Sequence, residues 1–295
     1  MSEGRIIKAL SGFYYVKVEN GEEVIQCRGR GVFRKRKITP LVGDFVEFEA
    51  DSPDEGYIIE IKPRENELVR PPIANIDQAI IVNSAIQPDF STTLLDRFLV
   101  LIEAKHIEPI IFISKMDLIS PEKQKRIEAY RNDYERIGYK VELVSSKASG
   151  GVLPLKDYFS EGVTVFAGQS GVGKSSILNA LKPSLLLKTA AISESLGRGK
   201  HTTRHVELVQ VNKGLVADTP GFSALDFQEI EAEDLSDCFP EMRSRKGACK
   251  FRGCMHHKEP RCAVKEGVEN GEISPYRYKH YLTFLEEIQS RKPRY

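Results

Sequence analysis

The run Gly168-Gln169-Ser170-Gly171-Val172-Gly173-Lys174-Ser175 fits GxxxxGK[ST] at every fixed position, and each fixed residue answers a need of phosphate chemistry. Glycines let the backbone curl until several N–H groups point at one anion. Lys174 brings positive charge to β and γ phosphates. Ser175, followed by Ser176, opens a helix and offers a hydroxyl to Mg²⁺. The helix start adds its own partial positive charge. VTVFA before the loop and SSILNAL after it supply the strand and the helix that such a loop requires.

Downstream, Asp218-Thr219-Pro220-Gly221 follows the apolar run LVA. A carboxylate at a strand end beyond a phosphate loop is suited to reach Mg²⁺ through water, and the Gly221 N–H to sense a γ-phosphate. Between the two motifs, Ser195 to His205 (SLGRGKHTTRH) is glycine-rich and polar, with no apolar period. In it Thr202 or Thr203 suits a loop that closes on Mg²⁺ and the γ-phosphate. Upstream, Ser114-Lys115-Met116-Asp117 ends the run PIIFIS. The Asp117 carboxylate would accept from the guanine ring N–H and exocyclic amine, a donor pair that adenine does not offer. The Lys115 stem would cover the ring face. Val144-Ser145-Ser146-Lys147 ends the next strand, and its backbone N–H groups suit the guanine oxygen. These residues together read as a Mg²⁺-dependent site for GTP or GDP.

Two further groups carry chemistry. Cys249-x4-Cys254-x-His256-x5-Cys262 offers three thiols and an imidazole, a soft four-coordinate set that favours zinc. His257 is the alternative imidazole. Four protein ligands would close the shell, which makes the metal structural, holding a segment too small to build its own core. Cys27 and Cys238 lie outside the set. RGRGVFRKRK crowds Arg28, Arg30, Arg34, Lys35, Arg36 and Lys37 around Phe33. Its cations suit RNA phosphates and its ring a base; the alternative is a solvated loop. Arg277-Tyr278-Lys279-His280 is a second basic stretch, which either touches RNA or coats a helix.

The elements that must position these groups fall into three regions. Up to about residue 70, short β-branched and aromatic runs (13–19, 23–28, 44–49, 57–61) punctuated by Gly and Asn predict a small barrel, with the OB-fold as leading candidate. Arg70-Pro71-Pro72 marks the boundary. From 71 to 227, strands at 78–84, 109–114, 141–145, 163–167, 206–211 and 214–217 alternate with helices at 94–105, 121–137 and 175–181, the pattern of a mainly parallel α/β sheet. Residues 228–295 turn acidic, then Cys/His-rich, and end in a helix over 275–291. The net charge of +1 announces no bulk nucleic-acid affinity. No apolar run approaches the roughly 20 residues that span a bilayer, and the first residues do not form a signal peptide. The expected compartment is the cytoplasm, and nothing demands an oligomer.

The order of the motifs adds more than any one of them. SKMD and VSSK precede the phosphate loop, whereas in Ras-like proteins they follow it. With an N-terminal barrel and a C-terminal cluster of the form CxxxxCxHxxxxxC, the whole chain resembles the RsgA (YjeQ/YloQ) family, circularly permuted GTPases of small ribosomal subunit biogenesis. The resemblance implies an OB-fold that binds RNA, a permuted GTPase domain and a mainly helical zinc-binding domain. It implies slow GTP hydrolysis stimulated by the 30S subunit, contact with 16S rRNA, a late checkpoint role and release on hydrolysis. Two residues depart from the usual pattern. Ser114 stands where Asn or Thr is common, which loosens the tie between base loop and phosphate loop. Phe222 stands where Ras-like proteins carry the glutamine that orients water, and a phenyl ring cannot do so. The resemblance points to His201 for that task, with His205 as competitor. An RNA-binding module that uses nucleotide only as a switch, and an ATPase, are the alternatives that the residues leave open. Because DTPG and the C-terminal region are about ten residues apart, a switch that reorders with the γ-phosphate is expected to reorient that region against the GTPase core.

Overall fold

The computed structural model describes residues 1–19, 21–31, 33, 38–145, 153–181, 206–218 and 225–291, with backbone alone at 153, 154 and 218. The chain forms two compact units, Met1–Ile80 with Ser145–Ser223, and Ile81–Val144 with Ala224–Tyr295.

The first unit opens with β1 (Ser2–Leu10), β2 (Phe13–Val18), β3 (Val24–Gly29), β4 (Phe45–Ser52) and β5 (Glu55–Ile61), of which β3, β4 and β5 bury every second residue over part of their length, as strands with one face on a core do. They pair in the order β1-β2-β3-β5-β4, with β3 and β5 parallel, and β4 pairs in turn with β1. This is the expected OB-fold connectivity, packed around Ile6, Val16, Cys27, Val46 and Ile58. Strand β1 has no counterpart in the sequence reading. SEGRIIKAL scatters charge through its length, and the strand is held by its ladders to β2, to β4 and to the strand at Glu207–Val211. Arg70-Pro71 is the turn of a hairpin, β6 (Glu67–Val69) against β7 (Pro72–Ala74).

The same unit holds β11 (Val163–Ala167), β12 (Glu207–Val211) and β13 (Gly214–Asp218). Strand β13 runs parallel to β11 and antiparallel to β12. Parallel pairing sends the C-terminal ends of β11 and β13 to one edge of the sheet, where ligands of α/β folds gather. Helix α3 (Lys174–Leu181) returns from that edge; the numbering follows α1 and α2 of the second unit.

The second unit begins within β8 (Gln78–Ser84) and continues through α1 (Thr92–Glu103), β9 (Glu108–Ser114), α2 (Pro121–Ile137) and β10 (Lys140–Leu143), with β10 parallel to β9. Local signals set the helix ends. Ser91 caps α1 by accepting from Leu94 N at 3.2 Å. Ser120 caps α2, Pro121 fills its first turn, and Gly138 closes it at φ 113°. Residues 225–291 add α4 (Pro240–Arg243), α5 (Ala263–Glu269) and α6 (Pro275–Gln289). This region does build a core, contrary to the expectation from its size. Leu235, Phe239, Met242, Val264, Tyr281 and Phe284 are buried together, and Val100 of α1 joins them. Among the described residues no helix is long and apolar enough to cross a membrane.

Candidate functional site

Strand β11 is buried at every position. Leu215 N donates to Gly162 O at 2.8 Å, and Val163 N to the Asp77 carboxylate at 2.6 Å. The loop leaves it through Gly168 (φ 127°), Gly171 (φ 80°) and Gly173 (φ 100°), backbone angles that L side chains avoid. Val172 is buried and pins the underside, while Gln169, Ser170 and Gly171 are exposed. Ser175 and Ser176 sit half-buried in the first turn of α3. The Lys174 ammonium folds over the loop and donates to Gly168 O at 2.7 Å and Gln169 O at 2.6 Å. Burial pushes its pKa down to about 8. A cation poorly solvated in its own protein has much to gain from an anion. Asp218 ends β13 beside this strand, paired across the hairpin with Glu207. Of the phosphate-side residues expected from sequence, 168–176 therefore gather on one loop and helix start, with the Asp218 backbone on the same sheet edge. His201, Thr202, Thr203 and Gly221 lie outside the described residues, as do Phe222 and His205.

In the second unit, Ser114 ends β9 almost wholly buried, and its hydroxyl donates to Asn83 O at 3.3 Å on β8. Lys115 then takes a left-handed backbone, φ 61°, which turns the chain off the sheet. Its ammonium donates to Gln87 O, and burial lowers its pKa. Met116 to Leu118 form a single tight turn, held by Met116 N on Val144 O at 3.4 Å. Asp117 is exposed at its crest. The segment thus fixes the Lys115 stem and leaves Asp117 on the surface, two residues that could take the donor edge of a purine. Ser145, where the chain re-enters the first unit, is half-buried, and Ser146 and Lys147 lie outside the described residues. One feature here escaped the sequence reading. The Asn83 amide nitrogen is buried with no partner among the described residues, although a lone Asn in a strand gives no signal of this.

The ligand atoms of Cys249, Cys254, His256 and Cys262 lie within 4.8 Å of one another. His256 turns its Nδ1 inward, 3.6 Å from Cys249 Sγ and 3.3 Å from Cys262 Sγ, and the two sulfurs are 3.9 Å apart. A tetrahedral ion with ordinary zinc bond lengths sets sulfurs about 3.8 Å apart and sulfur to nitrogen about 3.6 Å. The residues fit such an ion. His257 is exposed, so the inward imidazole is that of His256. Burial raises the Cys254 thiol to about 12; a divalent cation is what would make it a thiolate. The cluster could hold a metal ion. Its loop is braced by Glu259, whose carboxylate accepts from Met255 N at 2.9 Å and His257 N at 3.0 Å. Helix α6 braces it too, with Tyr278 and Tyr281 hydroxyls donating to His256 O and Met255 O.

Two expectations about RNA are corrected. Phe33 is only 7% exposed, in van der Waals reach of Gly29, so its ring is not offered to a base. Arg277 is fully buried, tied to Asp96 at 2.5 Å and to Glu241 at 2.7 Å, and no phosphate reaches it. Burial works against its charge, but the two carboxylates hold its pKa well above the ordinary value. Arg28 and Arg30 do face solvent. One stacks on Phe13 at 4.8 Å and the other pairs with Glu49 at 3.1 Å. Arg34, Lys35, Arg36 and Lys37 lie outside the described residues.

Comparison with known proteins agrees with this geometry over the full chain. The model of the RsgA GTPase family matches residues 61–228, and that of the RsgA N-terminal domain matches residues 3–58. The small ribosomal subunit biogenesis GTPase RsgA 2 of Oceanobacillus iheyensis is 68% identical over 295 residues, the whole of both chains. RsgA of Bacillus subtilis is 61% identical over 298 residues, again the whole of both. Among solved structures, YloQ, a circularly permuted GTPase, superposes with a TM-score of 0.87 at 56% identity, over 100% of this chain and 97% of that one. YjeQ from Thermotoga maritima gives 0.87 at 36% identity, over 99% of each chain. The likeness runs along the entire length: the chain belongs to the RsgA family of circularly permuted GTPases, and it is a GTPase.

Proposed function

We propose that this protein hydrolyses GTP in the late maturation of the small ribosomal subunit, and that the 30S particle stimulates the reaction and releases the protein once GDP remains. The observation that carries the reading is the phosphate loop, three left-handed glycines and a desolvated Lys174 at the head of α3. The relatives' role in small-subunit biogenesis supplies the setting.

In this reading the loop's N–H groups and Lys174 hold the β and γ phosphates. Asp117, Lys115 and the 145–147 segment take guanine. Mg²⁺ when bound neutralises charge on the phosphate oxygens, and Ser175, Asp218 and Thr202 or Thr203 are the residues to hold it. Water attacks the γ phosphorus as the bond to the GDP oxygen breaks. His201 orients that water, and Gly221 senses the γ-phosphate. Zinc is the ion of the Cys/His cluster and is structural. Arg28, Arg30 and the following cations meet 16S rRNA phosphates. The functional division is the one expected from the sequence, residues 1–70, 71–227 and 228–295, in a monomer acting in the cytoplasm.

The test is steady-state GTP hydrolysis titrated with purified small subunits. A rate rising to saturation with 30S supports the reading; a rate indifferent to 30S overturns the ribosomal part. His201→Ala should keep GTP affinity and lose most of the stimulated turnover, and a near wild-type stimulated rate would remove His201 from the reaction.

A further inference from the structure

Three side-chain systems of the second unit join end to end. At the metal cluster, Tyr278 Oη donates to His256 O at 2.6 Å and Tyr281 Oη to Met255 O at 2.7 Å. On the same helix, Arg277 Nη1 reaches Asp96 Oδ1 at 2.5 Å and His280 Nδ1 reaches Asp96 Oδ2 at 2.6 Å. Asp96 belongs to α1 and has no solvent exposure. It also accepts from Tyr134 Oη of α2 at 2.6 Å, and Thr93 Oγ1 of α1 meets His280 Nε2 at 2.9 Å. Helix α1 starts at its Ser91 cap, and the short loop before the cap carries Gln87, the acceptor of the Lys115 ammonium, and Asp89, paired with Lys123 of α2 at 2.6 Å.

We propose that metal occupancy at the Cys/His cluster and guanine-nucleotide affinity at the Lys115–Asp117 segment are thermodynamically linked, with Asp96 as the joint. The inference rests on the reading that this segment takes guanine. Losing the ion disperses Cys249, Cys254, His256 and Cys262, and with them the two carbonyls on which Tyr278 and Tyr281 rest. The same helix cannot slide on α1 without stranding a buried carboxylate and guanidinium. Disorder at the cluster is therefore passed to α1 and to the loop that positions Lys115. Linkage is reciprocal: the ion strengthens nucleotide binding by the factor by which nucleotide strengthens ion binding.

GDP is the probe, because it lacks the γ-phosphate. Its affinity is measured on zinc-loaded and on chelator-stripped full-length protein, with circular dichroism to follow the helices. The expected loss of GDP affinity on stripping is about fivefold or more. Saturating GDP should raise the affinity for zinc, read as the equilibrium partition of zinc between the protein and a competing chromogenic chelator, by a similar factor. The double variant Tyr278→Phe/Tyr281→Phe should bind zinc and GDP when loaded, yet bring the loaded-to-stripped ratio to within twofold. Equal GDP affinity in the loaded and stripped protein, a zinc partition indifferent to GDP, or a double variant that keeps the full ratio would each overturn the linkage. Loss of helical signal on stripping marks unfolding, and the partition at partial zinc loading, where most chains stay folded, then decides the matter. Loaded wild-type protein that takes up no GDP at all would instead sink the guanine reading.

Discussion

Nucleotide binding by this protein should take up protons, and the amount follows from Lys174. Burial holds its pKa near 8 in the free protein. The β-phosphate of GDP against the ammonium favours the charged form and raises that pKa past the working range. At pH 8.0 about half of the free molecules carry the neutral amine, so each binding event draws in about 0.5 proton from buffer; at pH 7.0 the figure is about 0.1. The sign follows from the direction of the shift. A lysine depressed in the free state and restored in the complex favours binding below its free pKa, and that advantage drains away as pH rises through it. By pH 9 only about one free molecule in eleven keeps the ammonium, so GDP affinity should fall about tenfold from its value at pH 7. Isothermal titration of GDP at pH 8.0 in buffers of different ionisation enthalpy reads the proton count directly. Lys174→Arg, which does not titrate in this range, should abolish the uptake whatever its effect on affinity. An uptake near zero for the wild type at pH 8.0, with affinity flat from pH 7 to 9, would refute the claim that the loop lysine is desolvated before phosphate arrives.

Asp117→Asn replaces a double acceptor by an amide, and loss of two charge-assisted hydrogen bonds should weaken GDP binding at least about a hundredfold, measured by fluorescence titration. Xanthosine diphosphate, whose carbonyl can accept from the new amide, should lose far less. Gly162→Ala places a Cβ 2.5 Å from Asp77 Oδ2 at φ 68°, so thermal unfolding should show a loss of about 2 kcal/mol or more. Phe33→Ala should cost about 3–5 kcal/mol of stability as a core truncation. It should leave the salt dependence of RNA binding unchanged, whereas Arg28→Ala with Arg30→Ala should lower that slope without unfolding the barrel.

How far the sequence foretold these features depends on how local their causes are. The phosphate loop is written in eight adjacent residues, and the strand before it and helix α2 emerge with the bounds that their apolar runs, Ser-Pro start and terminal Gly predict. The four residues that could hold a metal span fourteen positions, from 249 to 262, and their spacing together with the family pattern pointed to them. The misses share the opposite property. Strand β1 is a strand because three neighbours pair with it. Phe33 looked like a free ring amid cations because its local context is all charge; the barrel core that claims it comes from other strands. The basic stretch at 277–280 leaves only Lys279 exposed, since the partners of Arg277 lie 181 and 36 residues away. A charge declares its sign in sequence, but only the fold declares whether its counter-charge is water, phosphate or a buried carboxylate.

A buried counter-charge limits how a γ-phosphate signal could reach the region of residues 225–291. Chain connectivity alone suggests that the region swings against the GTPase core as the DTPG segment reorders. Within the second unit such a swing is resisted. Residues 225–291 share a core with Val100 of α1, and turning α6 on α1 would separate Arg277 from Asp96 and leave both buried charges unpaired. Breaking a buried pair of this kind costs about 3–5 kcal/mol, more than the roughly 1–3 kcal/mol that ligands ordinarily exchange between sites. Arg97 adds to the resistance, donating to Leu225 O at 2.9 Å and stacking between Phe227 and Phe284. These contacts bind residues 81–144 and 225–291 to each other, the Lys115–Asp117 segment and the Cys/His cluster included. Hydrogen exchange compared between GDP and a non-hydrolysable GTP analogue separates the two cases. If the amides of α6 and α1 keep the same protection in both states, they move as a unit. Selective opening of α6 with the analogue would show that the Asp96 joint breaks during the cycle.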